Sequence, residues 1–308
     1  ETTRFVKSTI YLVQNPGVSG QTITKRDLNA TSAALPATPI SNASTDALAQ
    51  PTDVAVYENG GTRKAYIAAF GSDRVGVLTA GSLSTPYAWT LTRIDIPVAS
   101  GSSNPLSGPR ALVVKPANAS DPNDPGARVY VVNRLDNSFA IIDATTDAYV
   151  TTIALANDPT PSYVRDGRQF LYSAKLSEND FVSCASCHMD ARTDSLEWDL
   201  SSGATLAYPA GLVDGLNAPF PLFFEPDKGP MITQSLQGLT NFEVDPTNID
   251  LFTNAPYHWR GDKADFTEFR GAFVDLMGPT QTNPVSTDDM VTFETFVNSV
   301  NYPPNPYE

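Results

Sequence analysis

The chain has 308 residues, 41% of them apolar, with 34 acidic against 20 basic side chains and a formal net charge of −14. That length and apolar content allow two domains with ordinary buried cores and exclude a disordered chain. The acidic balance argues against nucleic acid and anionic membrane surfaces as partners, since both repel a negative face, and no run of about 18 apolar residues encodes a membrane span.

The opening Glu1-Thr2-Thr3-Arg4 carries neither methionine nor a charged-then-apolar leader, so the sequence reads as beginning after a processing or truncation point. Residues Phe5 to Val13 are rich in β-branched and aromatic types and predict a strand. From Asn15 to about Gln50 the composition turns to Ala, Thr, Ser, Asn, Pro and Gly, which predicts a long surface loop or linker. Asn29, Asn42 and Asn118 open Asn-x-Ser/Thr triplets, matches that chance supplies in a chain of this composition.

From Pro51 a four-strand pattern occurs twice. Pro51–Tyr57, Lys64–Phe70, Asp73–Leu78 and Trp89–Ile94 are followed by Pro109–Val114, Arg128–Asn133, Asn137–Asp143 and Tyr149–Ile153. A third, incomplete copy is predicted from Pro161 to Ser173. Four short strands repeating at roughly 40 to 60 residues fit β-propeller blades or a plain antiparallel sheet or sandwich. The pair Val129-Tyr130-Val131-Val132-Asn133 and Ser138-Phe139-Ala140-Ile141-Ile142-Asp143 resembles the Tyr-Val-Thr-Asn type of propeller. Two copies and a fraction cannot close a ring of four to eight blades, so further blades are expected upstream or in another chain. The loop Asp121–Gly126 is acidic enough for a calcium ion, but turn chemistry accounts for it equally.

The sequence Cys184-Ala185-Ser186-Cys187-His188 has the Cys-x-x-Cys-His spacing that covalent attachment of a c-type haem requires. Two cysteines three apart on one turn can each form a thioether to a haem vinyl group, with the adjacent histidine as proximal iron ligand. Competing readings are a zinc half-site, a thioredoxin-like redox pair and an exported disulfide. Zinc lacks further ligands, because the only other histidine is His258 and there is no other cysteine. A redox pair belongs in a βαβ unit, which the surrounding pattern does not supply; a disulfide stays open.

Further along stand Lys228–Leu239, Pro256–Asp262, Phe266–Gly278 and Val291–Val300, the last two with apolar residues spaced as in amphipathic helices. The order Cys-x-x-Cys-His, Lys228-x-Pro230 running on to Leu236, a Pro-Tyr-(x)-His-x-Gly segment and a helix ending Met277-Gly278 resembles the haem domain of the di-haem cytochrome c peroxidase superfamily, and more closely its single-haem, propeller-fused relatives; it departs from them in that His258 directly follows Pro256-Tyr257, one position earlier, with a longer segment between it and Met277. The resemblance covers roughly residues 177 to 300. It implies that Met277 is the sixth iron ligand, with His258 as the alternative. It does not carry over peroxidase activity, since that needs a second haem and this chain has one attachment motif. Met189 adjoins His188 and cannot reach the opposite haem face, while Met231 and Met290 read as packing residues. Arg260 and Trp259, then Lys228 and Arg192, are the candidates to meet the haem propionates.

The expected fold is therefore a β + α multidomain chain: a strand and linker over 1–50, a partial β-propeller of antiparallel four-stranded blades over 51–175, and a small α-helical cytochrome c domain over 176–308. The expected function is electron transfer by one covalent haem c, in a periplasmic or extracellular compartment, toward a redox partner protein or within a larger multi-subunit complex. An enzyme relaying electrons to a second haem or a substrate site, and a structural haem subunit, are the alternatives.

Overall fold

A computed structural model of the chain describes residues 6–29, 46–80, 89–178, 180–199, 230–239, 257–259, 261, 263–277 and 285–307. The first strand, β1 (Thr9–Gln14), pairs antiparallel with β2 (Thr22–Asp27), so a hairpin stands where a loop was expected. The Thr-Ile-Thr-Lys-Arg-Asp alternation of β2 fits a pleated surface. Gly17 and Gly20, both at positive φ, let the chain reverse before it.

Two four-stranded antiparallel sheets follow. The first has β3 (Pro51–Asn59), β4 (Thr62–Ala69), β5 (Arg74–Thr79) and β6 (Thr90–Asp95) side by side in that order. The second has β7 (Pro109–Lys115), β8 (Arg128–Asn133), β9 (Ser138–Asp143) and β10 (Tyr149–Ala154) in the same consecutive order. Their patterning differs for a physical reason. Strand β5 is buried at five of six positions because the first sheet is covered on both faces. One face shares a core with the second sheet through Tyr66, Val75, Val77, Val129, Val131 and Ile142. The other packs Ile67, Leu78 and Leu91 against Leu28 and Leu48. Strand β9 alternates strictly because the second sheet buries one face only. Each fully buried Val or Ile contributes about 1.5–3 kcal/mol.

Polar contacts tie the sheets together. Lys64 Nζ reaches Asp147 Oδ2 at 2.9 Å and the carbonyls of Ala144 and Thr145, and Tyr66 OH donates to Asp147 Oδ1 at 2.6 Å. Between the edge strands β3 and β7, Thr52 Oγ1 donates to Arg110 O, and Asp53 Oδ2 accepts from Leu112 N.

The stretch expected to open a third blade is instead helix α1 (Ser162–Tyr172). Its buried Gly167, Phe170 and Leu171 and half-buried Val164 keep helical spacing, and Pro161 precedes its first turn, where a missing N–H is harmless. Helix α1 packs on α3 (Thr287–Asn298), whose start is fixed by a capping box between Ser286 and Asp289. The helix expected over 266–278 is a 3-10 segment, Phe266–Gly271, continued by the single turn α2 (Ala272–Asp275). A short hairpin of β11 (Glu197–Asp199) and β12 (Pro230–Ile232) completes the described elements.

The expectation of a partial β-propeller followed by a small α-helical cytochrome c domain is thus corrected. The described residues form four antiparallel sheets, two of them four-stranded, with no closed barrel or propeller and only a small helical part. The two large sheets close a core between themselves, and the β1–β2 hairpin lies over the first, so burial is met without a ring of blades. Among the described residues no helix is long and apolar enough to cross a membrane.

Candidate haem site

Cys184–Ser186 form one 3-10 turn, opened by Ser183 in extended conformation and closed by a capping box with Ser186. The carbonyl of Cys184 accepts from both Cys187 N (3.3 Å) and His188 N (2.9 Å). One turn therefore carries both thiols and the imidazole, as the motif's chemistry requires. The turn is anchored from the first sheet by Gln50, whose Nε2 donates to Tyr172 O at 2.8 Å and to Ser183 Oγ.

His188 Nδ1 lies 2.8 Å from the carbonyl of Gln234, 46 residues away in sequence. A carbonyl only accepts, so Nδ1 carries the ring proton and Nε2 is left with the lone pair that binds a metal. Burial pushes the His188 pKa down, against the opposing pull of the Gln234 bond and of Asp194, which favours the neutral ring a metal needs. Burial also opposes ionisation of Asp194 itself. The bonds it accepts from Leu196 N (3.0 Å) and Trp198 Nε1 (2.9 Å) outweigh that and hold its carboxyl below the usual range.

Both cysteines are free thiols. Burial pushes Cys184 up to about 12 and Cys187 up to about 11. A redox-active pair instead needs a depressed thiol pKa, and a zinc site needs thiolates. Among the described residues no group of three His, Cys, Asp or Glu side chains converges on a point that could hold a metal ion. A haem asks less of the chain: one imidazole below the iron, two thiols at the ring edge and an apolar lining. The turn supplies the imidazole and both thiols, and an apolar cluster lies beside it. Cys184 packs against a buried cluster that contains Ala185, Ala191, Phe266, Phe273, Met277 and Phe293.

Of the predicted ligands, Met277 is 8% exposed within that cluster, and its carbonyl accepts from Glu178 N, a few residues before the motif. His258 stands at φ 66° in a turn closed by Gly261 N donating to its carbonyl, with its ring edge-on to Phe269 at 4.8 Å. It is near enough to His188 to oppose protonation of that ring. Both candidates therefore belong to the neighbourhood of the motif. Met290 is fully buried core, Met189 is exposed, and Met231 sits on β12 opposite Trp198.

Of the predicted propionate partners, Trp259 already donates its indole N–H to Ile232 O at 2.9 Å, and Arg192 is exposed. Arg260 and Lys228 lie outside the described residues. Sequence reasoning missed Gln234, which acts through its main chain and so leaves no side-chain signal, and Gln50, Asp190 and Asp194, which belong to no motif. The carboxylates of the acidic loop considered for calcium are engaged locally: Asp124 binds Lys115 and Asn118 N, and Asp121 accepts from Asn123 N. Comparisons with protein-family models, curated proteins and solved structures return no match for this chain.

Proposed function

We propose that this chain is an electron-transfer protein carrying one covalently attached haem c, bound through thioethers to Cys184 and Cys187 with His188 as proximal ligand. The single observation that carries the reading is the Nδ1–H bond from His188 to Gln234 O on the same turn as two neutral thiols. It orients the imidazole and frees Nε2. A haem held there supplies one-electron exchange between ferric and ferrous iron. Met277 is the proposed sixth ligand: a thioether in a dry, apolar cluster raises the potential relative to a second imidazole and keeps oxygen and peroxide off the metal. His258, the only other histidine of the chain, is the competing ligand.

Covalent haem attachment takes place on the outer side of the energy-transducing membrane, so the proposal carries with it an exported, periplasmic or extracellular location. Its redox partner would present a neutral or basic face, given the net charge of −14. The resemblance of the motif order to the di-haem peroxidase superfamily supports the electron-carrying role and not peroxide cleavage.

The test is the intact mass of the purified chain together with the ferric electron paramagnetic resonance and visible spectra. One added haem mass, a low-spin signal and the far-red sulfur-to-iron band are the expected result. A chain without added mass refutes haem attachment. A high-spin signal that shifts on adding peroxide or cyanide replaces the carrier with an enzyme.

A further inference from the structure

One residue past His188 the backbone passes through two successive left-handed residues, Asp190 (φ 49°, ψ 44°) and Ala191 (φ 63°), neither of them glycine. Aspartate visits this region readily, but an alanine stays there only where its surroundings hold it. Here the constraints come from outside the turn. Arg110 of β7 places Nη2 at 3.0 Å from Asp190 Oδ2 and 3.3 Å from Oδ1. Tyr172, the last residue of α1, donates its hydroxyl to Asp190 Oδ1 at 3.2 Å. The two are braced against each other through Phe70, whose ring lies 5.1 Å below the Arg110 guanidinium and 4.8 Å from the Tyr172 ring. On the other side Ala191 is buried, and its carbonyl accepts from Leu236 N at 2.9 Å.

Three bonds therefore join segment 188–191 to segment 234–236: His188 Nδ1 to Gln234 O, and Leu236 N and Ser235 Oγ to Ala191 O. The strained turn lies between their origins. We propose that Arg110 and Tyr172, acting through Asp190, are positioning residues for the His188 imidazole, so that the second β-sheet holds the ring in register with its carbonyl partner. If the clamp is removed, Asp190 and Ala191 can relax out of the left-handed region, the two segments slide, and the Nδ1–H bond to Gln234 lengthens. The proposal rests on the haem reading only where the iron is the reporter; the hydrogen bond belongs to the polypeptide.

The experiment uses the full chain with Asp190→Asn and Arg110→Gln. Asparagine tolerates the left-handed region, so the first change removes charge without adding strain. The first readout is solvent exchange of the His188 Nδ1 proton by nitrogen-15 NMR, expected to quicken at least tenfold in both variants. The second is the midpoint potential of the haem-loaded chain, expected to rise, because a weaker Nδ1 bond makes a less basic ligand that favours ferric iron less. Tyr172→Phe should move both in the same direction by less, and Arg110→Lys should restore part of the wild-type value.

Arg63→Gln is the control. It breaks another exposed pair, Arg63 to Glu58 at 3.0 Å, and should change neither readout. Raising the salt on the unaltered chain tests the same idea without a variant. With side chains 38% and 58% exposed, the Arg110–Asp190 pair is open to screening, and exchange should quicken as it is screened. Wild-type exchange in folded Asp190→Asn, indifference to salt, or an equal effect from Arg63→Gln overturns the clamp. A chain that carries no covalent haem refutes the function proposed above and leaves the exchange measurement to decide the clamp.

Discussion

Gly167 lies where α1 crosses α3, and a Cβ added there would fall 2.3 Å from Phe296 Cβ and 2.6 Å from Thr292 O. Helix propensity favours alanine over glycine at such a position by about 1 kcal/mol. The steric term has the opposite sign and is larger. Neither obstructing atom is the tip of a flexible side chain: one is the first carbon of a buried phenylalanine, the other is main chain. The helices must therefore part by roughly 1 Å to restore ordinary contact. That separation loosens the Phe170–Phe293 pair, with ring centroids 6.0 Å apart, in the cluster that also holds Ala185 and Met277. Overpacking of this kind costs about 1–3 kcal/mol and more where backbone has to move, so Gly167→Ala should lose about 2 kcal/mol net. Urea unfolding followed by far-ultraviolet circular dichroism is the assay, and with a slope of about 2 kcal/mol/M the midpoint should fall by about 1 M. Gly76→Ala gives the scale, since its Cβ meets Leu48 Cδ1, the end of a side chain that can rotate away, and should cost under about 1 kcal/mol. A Gly167→Ala midpoint at or above wild type would refute the argument, because propensity would then outweigh packing at the crossing.

Asp180 is buried, and burial raises its carboxyl to about 6 against the lowering effect of Arg74 and Lys175. The folded chain thus binds this proton more tightly than the unfolded chain, so its contribution is most favourable below about pH 4 and is lost as the pH rises to about 6, by at most ~3 kcal/mol. Asp180→Asn should remove that slope in urea unfolding measured at pH 4, 5, 6 and 7; an unchanged slope would place the effect elsewhere. Lys64→Met leaves Asp147 without its cation and takes the Lys64 donor from Thr145 O and Asp147 Oδ2, while Tyr66 OH still serves Ala144 O and Asp147 Oδ1; it should cost about 3 kcal/mol in thermal or urea unfolding, against about 1 kcal/mol for Tyr66→Phe. Equal losses would mean that the charge contributes nothing beyond a hydrogen bond. If the chain carries the proposed haem, Met277→Ala should abolish the far-red band of the ferric protein while His258→Ala keeps it; an unaltered chain that is low-spin without the band, and turns high-spin only in His258→Ala, would make His258 the ligand.

What could be read in the sequence was what local chemistry determines. The eight strands from Pro51 to Ala154 were visible as β-branched runs between turns, and the Cys184–His188 turn was visible as a spacing. Helix α1 was not, because Tyr163, Val164, Phe170 and Tyr172 are all strand-favouring types; only the 3.6-residue spacing of its buried face, completed by a glycine, marks it as helical. Packing on α3 then overrode propensity. The same limit explains the failure of the propeller expectation. Repeated four-strand units specify sheets, whereas the number of sheets and what covers their faces depend on contacts distant in sequence, such as Leu28 and Leu48 against Ile67 and Leu78.

At the site the division is sharper. The thiols and the imidazole are chosen by chemistry and so leave a motif, but the groups that make the imidazole usable do not. The Gln234 carbonyl is main chain, common to every residue type, and only the fold brings it 2.8 Å from His188. Asp190 has a side chain that could have drawn notice, yet nothing local says that its partners are Arg110 on β7 and Tyr172 on α1. The motif is thereby connected to the sheets by Gln50, the residue before β3, on one side and by Arg110 of β7 on the other, two contacts onto the segments flanking one turn. A peptide cut from its sheets would retain Cys184, Cys187 and His188 and lose the contacts that align them. On the proposed haem function, the sheets' part in this chain is to fix the ligand geometry, a role that neither sheet shows when it is considered by itself.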